Sequence, residues 1–415
     1  MTNQIKTYFP YILPLLLIFS RSLADITIVL VSILFIYYSY KEIGWEWIKE
    51  KWFLFAVFFS IYCMTVNSFY SVNSFESFAY SFFFLRWPIF SMALSYWILS
   101  DFKSLNKFLK SLSFILLFLI FDTWWQFFFG LDIFGLETFS SLNRLTGPLN
   151  GPHVGTWISK LILIPPLILV LYGNTKLKEY QNYFIYGFFI ISTLLFLTVF
   201  ITGERMALLL STASILIFFI GLVLNKSFTY KLTFILSILS IFIVLTFAYS
   251  FPSTTQRAFF STINKIIYWK SSDYGLVWQS AYDVWMQSPF FGVGLHKYRE
   301  ACENLGYYGT SYLEPIGSGV CFHPHNISLQ LLSETGIVGF ILFYSMVTIL
   351  TFSSLKVFLR KKLWVPFAIF FNILFSCFLP IASSTSFFSN KYGAIIWLLI
   401  GVMLATNKLF LQRRS

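Results

Sequence analysis

The chain has 415 residues, of which 57% are hydrophobic and 11% charged, where soluble domains carry about 25% charged residues. That balance excludes a soluble globular enzyme and points to burial in lipid, as a single membrane domain over 1–415. The formal net charge of +12 does not call for nucleic acid, because most Lys and Arg sit in short loops between apolar runs, as membrane anchoring requires.

Taken in chain order, the apolar runs predict an all-α polytopic membrane protein of about twelve transmembrane helices, at 8–20, 23–40, 52–70, 76–99, 107–129, 152–173, 183–203, 205–224, 232–251, 325–352, 363–382 and 392–408. The first run shows no small-residue cleavage site, so it reads as a first helix followed by a tight turn between Arg21 and Asp25. With a cytoplasmic N-terminus, the basic clusters Lys41/Lys49/Lys51, Lys103/Lys107/Lys110, Lys176/Lys178, Lys226/Lys231, Lys356/Arg360/Lys361/Lys362 and Arg413/Arg414 all fall inside. The short outside loops then hold little beyond Arg21, Arg144, Arg205 and Lys391.

One long hydrophilic interruption, 252–324, separates the ninth and tenth spans, and this topology makes it a large periplasmic loop. Its middle reads as a helix from Trp278 to Gln287, ended by Ser288-Pro289 and a Gly292-Val293-Gly294 turn. Cys302 and Cys321 lie in this loop and can bond in an oxidising compartment, which would contribute roughly 3 kcal/mol by chain entropy. Cys63 and Cys377 fall in apolar spans and read as apolar filler. No repeat relates the two halves of the chain, which argues against a transporter built from duplicated units.

Ionisable residues inside or at the edge of a membrane are costly and are functional candidates for that reason. Arg86 lies in mid-span, as a substrate cation, a structural ion pair or a snorkelling side chain. Lys160 reads as a snorkelling residue, Glu204-Arg205 sits at a tight outside turn, and His325 opens the tenth span. In that span Asn326, Gln330 and Ser333 recur at helical spacing, so one face looks toward protein or water, while Gly336 and Gly339 permit close helix contact. At a helix N-terminus the dipole disfavours imidazolium, so a neutral His325 suits general-base work. A metal reading is also open, since Cys321, His323 and His325 would align along an extended segment, although no fourth ligand is evident nearby.

His325-Asn326, nine residues, then Gly336-x-x-Gly339 resembles the signature of the O-antigen ligase superfamily. Thr202-Gly203-Glu204-Arg205 resembles that family's Gly/Ser-x-Arg turn, Pro289-Phe290-Phe291-Gly292-Val293-Gly294 its P-x-x-G-x-G loop, and Gly147-Pro148-Leu149-Asn150 its turn ahead of the sixth span. Where relatives carry an Arg before the loop Trp, this chain has Asp273-Tyr274-Gly275 before Trp278, leaving Arg257, Lys265 and Lys270 to supply the charge.

The resemblance implies an undecaprenyl-pyrophosphate-linked glycan as donor and lipid A-core or another glycan as acceptor. The setting it implies is the bacterial inner membrane, among membrane lipids, with the site facing the periplasm. It implies Arg205 as a cation on the leaving diphosphate; beside it we read Arg86 and Arg257 as further cations there, His325 as the base, and Asn326 as orienting the base or a sugar. Transfer would be inverting and would call for no cofactor and no metal, there being no Asp-x-Asp pair in the outside loops to hold one. O-antigen ligation leads the alternatives of O-antigen polymerase, protein O-oligosaccharyltransferase and, outside the enzymes, a lipid-linked glycan transporter.

Overall fold

The computed structural model describes residues 2–139, 144–149, 151–172, 181–226, 230–307, 320–382 and 385–413. Asn150, Lys176, Lys178 and Arg414, named above, lie outside the described residues, as does part of the long loop. Among the described residues there is no strand, only two isolated bridges, Leu131 with Glu137 and Phe139 with Arg144. The chain is an all-α polytopic membrane protein. Among the described residues seven helices are long and apolar enough to cross a membrane: Arg21–Ile43, Phe102–Phe129, Val154–Leu171, Arg205–Leu224, Tyr230–Ser250, Ile327–Arg360 and Asn390–Gln412. Four shorter apolar helices accompany them, Thr7–Phe19, Lys51–Asn67, Ile185–Ile201 and Trp364–Phe378.

Two local expectations change. The first turn falls at Ser20, not between Arg21 and Asp25, because Arg21 already starts the second helix. The run at 76–99 is two pieces, Ser74–Phe84 and Arg86–Ala93, the second carrying on as Leu94–Ile98. Pro88 lies in the first turn of the second piece, where a missing N–H breaks no helical bond.

The core is built where the Ile327–Arg360 helix packs on Lys51–Tyr62 and on Trp364–Phe378. Phe59 meets Phe343 edge-on at 5.5 Å and Phe84 at 5.4 Å, arrangements that add to simple apolar burial. By contrast, Tyr230–Ser250 has no buried residue at all, as expected of a helix whose surroundings are chiefly lipid.

Several helices share one polarity. Arg21, Arg205 and Lys391 stand at the first turns of their helices, whereas Lys41, Lys226 and Arg413 stand at the far ends. Lys103, Lys107 and Lys110 likewise begin the helix whose other end leads to Arg144. The site described next lies at the end opposite these basic clusters.

Candidate active site

A break in the Ile327–Arg360 helix organises this end of the molecule. Gly336 has φ 64° and ψ −176°, which interrupts the helical hydrogen bonds there. The loop after the Asp273–Gln287 helix takes up displaced groups on both sides of the break. Ile337 N donates to Pro289 O (2.9 Å) and Val338 N to Phe290 O (3.3 Å), while Val293 N and Gly294 N donate to Ser333 O and Glu334 O, both at 3.0 Å. Asn67 Nδ2 donates to the carbonyls of Phe291 (2.6 Å) and Glu334 (2.8 Å), and the Tyr62 hydroxyl donates to Thr335 O (2.8 Å). A Cβ on Gly336 would lie 2.3 Å from Phe290 O, and one on Gly292 2.4 Å from Glu334 O. The two glycine motifs are therefore the two halves of one joint, and Gly336, expected to bring helices together, instead opens its own helix to a loop.

The joint places side chains around a cavity of about 1120 Å³. All four histidines of the chain line it, His153, His296, His323 and His325. So do Arg21, Arg144, Arg205, Arg257, Lys265 and Lys391, against only Asp25 and Asp273 among the carboxylates of the described residues. His325 precedes the helix cap Asn326, whose Oδ1 accepts Leu329 N at 3.0 Å, and has φ 50°. Its ring lies 3.8 Å from that of His323 and presents an edge contact to Tyr274 at 5.9 Å. His296, also left-handed at φ 64°, donates its N–H to Glu334 Oε2 (2.8 Å) and stacks on Tyr80 at 4.2 Å. Non-glycine residues in that region cost free energy that the surroundings must supply, and they concentrate at functional sites.

Residues 190–344 match the O-antigen ligase family. The matched segment contains the His325-Asn326 pair, the glycines of the joint and the Arg205 turn, and it shows the resemblance drawn from those residues. No curated protein matches the chain. The match implies a glycan-transferring enzyme of the ligase or polymerase kind, acting on lipid-linked substrates.

Within the matched segment, Arg205 and Arg257 are tied together: Arg205 Nε donates to Arg257 O and Arg257 Nε to Gly203 O, each at 3.3 Å. Burial, with Arg144 and Arg205 nearby, lowers the Arg257 pKa to about 10, which leaves it cationic at neutral pH. Of the three candidates for the loop cation, Arg257 and Lys265 line the cavity and Lys270 does not. Lys265 is bonded to Asp273, and Arg257 is the candidate tied to the Arg205 turn. Glu204 faces away and caps a neighbour. Its carboxylate accepts Gly155 N (2.7 Å), Thr156 N (3.2 Å) and the Thr156 hydroxyl (2.6 Å) at the start of Val154–Leu161. Burial raises its pKa against the pull of those bonds. The same contact brings the Arg205 turn beside His153. There burial, then the charges of Lys391, Arg144 and Arg21, push the imidazole pKa down to about 3, so it is neutral.

Arg86, Asn326 and Lys160 are among the sequence candidates that do not line the cavity. Arg86 bonds Asp25 Oδ1 (3.1 Å) and Asn390 Oδ1 (2.8 Å) and lies over the Trp87 ring at 4.2 Å. It is a structural ion pair that orders two residues of the cavity wall. Asn326 is buried and spends its Oδ1 on the helix cap. Lys160, expected to snorkel, is fully enclosed and donates to the carbonyl and hydroxyl oxygens of Ser376. Cys302 and Cys321 form a disulfide, which removes the thiolate from the Cys321/His323/His325 arrangement. The wall residues missed from sequence are Arg21, Arg144, His153, His296 and Lys391. Three of these five were visible as the exceptional cations of the outside loops.

Proposed function

We propose that this protein moves a glycan from an undecaprenyl-pyrophosphate carrier to an acceptor hydroxyl at the periplasmic face of the bacterial inner membrane, with O-antigen ligation to lipid A-core as the leading reaction. The observation that carries the reading is the meeting, in one cavity and inside the O-antigen ligase segment, of His325 with Arg205 and Arg257. As the bond between the anomeric carbon and the phosphate oxygen breaks, negative charge grows on the diphosphate. Fixed guanidinium groups stabilise that charge in place. His325 takes the proton from the acceptor hydroxyl as its oxygen attacks the anomeric carbon from the opposite side, which inverts that carbon. Asn326 acts through its cap, holding the backbone just after the base. The basic clusters at the far helix ends support a periplasmic cavity by the positive-inside rule.

Two results test this reading. With Arg205→Ala, donor affinity and turnover should both fall, because the guanidinium would contact the diphosphate in the bound donor and in the transition state. Unchanged donor affinity in a direct binding measurement would remove Arg205 from the diphosphate site. For topology, Lys270 is exposed in the long loop, so Lys270→Cys should react with an impermeant maleimide added from the periplasmic side. Labelling from the cytoplasmic side alone would reverse both topology and mechanism.

The reading also expects transfer without a divalent metal, arginines standing where a metal does in other transferases. EDTA should leave the initial rate unchanged. Strong inhibition relieved by one added metal would reopen the role of His323 and His325.

A further inference from the structure

The cations contributed from outside the O-antigen ligase segment form a group of their own. Arg21, Arg144 and Lys391 line the cavity, yet among the described residues none of them takes part in a salt bridge. Arg144 Nε and Lys391 Nζ are buried atoms without a hydrogen-bond partner among those residues. The nearest carboxylates are committed elsewhere. Asp25 bonds Arg86 (3.1 Å) and Asn390 (3.1 Å), and Glu204 caps the Val154–Leu161 helix. Arg21 and Lys391 also share a small recess with Leu17, Ala24, Trp157, Ala394 and the bonded pair Asp25 and Asn390. Each lies in the first turn of its helix, where the helix dipole adds positive potential.

Arg21 is exposed and Arg144 and Lys391 are half-buried, with Arg144 Nε and Lys391 Nζ enclosed, and cations gathered on one cavity without counter-charge raise a positive potential there that favours an anion. The Arg205–Arg257 pair is fixed on different elements and has its own backbone ties. We propose that Arg21 and Lys391, with Arg144 between the two groups, form a second anion subsite, which takes a phosphate or carboxylate carried by the acceptor glycan. This assignment rests on the reading that Arg205 and Arg257 hold the donor diphosphate. His153, neutral and beside the same cations, can hydrogen-bond the anion without adding charge.

The test uses the full chain in lipid nanodiscs and inorganic pyrophosphate as probe, followed by calorimetry. Wild type should bind two equivalents, Arg21→Gln/Lys391→Gln one, and Arg205→Gln/Arg257→Gln the other one. Arg21→Lys/Lys391→Arg should keep two, which separates charge from folding. In transfer assays, Arg21→Gln/Lys391→Gln should raise KM roughly 10- to 100-fold for a phosphorylated or carboxylated acceptor. KM for the donor and for the same acceptor stripped of its anionic group should hold. A single pyrophosphate site lost in both glutamine double variants, or an equal KM rise for charged and stripped acceptors, overturns the second subsite. A KM rise seen only in anionic-lipid nanodiscs overturns the acceptor assignment in favour of a lipid headgroup. Two equivalents retained by Arg205→Gln/Arg257→Gln overturns the donor reading instead, and the Arg21/Lys391 result still decides its own question.

Discussion

His325→Ala is expected to lose about 10²–10⁴-fold in transfer rate, the usual contribution of a positioned general base, with membrane insertion and donor binding retained. The expectation rests on where the ring stands. It is held at φ 50° just ahead of a capped helix and against Tyr274 and His323, in the cavity that Arg205 and Arg257 also line. A transporter with the same cavity would need no proton acceptor there, so a rate loss with intact donor binding separates enzyme from carrier. His323 is the demanding comparison because its ring touches that of His325. His323→Ala should slow transfer less than His325→Ala. If single-turnover measurements gave the reverse order, with His325→Ala close to wild type, the base would be His323.

The second large effect is structural. Gly336→Ala would place a Cβ 2.3 Å from Phe290 O and 2.4 Å from Phe290 C, on a residue whose φ is 64°. Neither atom is the end of a flexible side chain, so the loop must withdraw. Strain and overpacking together should cost about 3 kcal/mol or more, seen as a clear fall in the thermal midpoint of the purified protein. Transfer should fall with it, because the loop that withdraws carries His296 into the cavity. Gly187→Ala is the control, since a Cβ there meets nothing within 4 Å. If Gly336→Ala unfolded at the wild-type temperature with wild-type activity, the joint would have no mechanical role.

What could be read from the sequence follows the range of each signal. Apolar runs report lipid contact directly, so the Arg21–Ile43 and Arg205–Leu224 helices were legible to within a few residues. The helix Asp273–Gln287 begins five residues before its expected start at Trp278, because Ser272 caps it by accepting Gly275 N at 3.1 Å. Gly336 was ambiguous in principle: a glycine in an apolar run suits a close helix contact as well as a break. Only the carbonyl of Phe290, far back in the chain, decides between them. Arg86 was legible as a residue with a purpose, but its partner Asp25 lies in a different helix, and an ion pair with it cannot be seen from spacing. Sorting cations by loop isolated Arg21, Arg144, Arg205 and Lys391. That they converge is a property of the tertiary fold alone.

The helix Tyr230–Ser250, which buries none of its side chains, leads directly into Pro252–Thr255 and then to Arg257. Its depth and tilt are consequently set by the bilayer as much as by the protein. Arg205, by contrast, begins a helix packed on Trp364–Phe378. Arg257 is thus reached through a lipid-facing helix yet tied to the Arg205 turn by its bond to Gly203 O, so under the proposed function the thickness of the surrounding leaflets would bear on how far the two guanidinium groups can part around the leaving group.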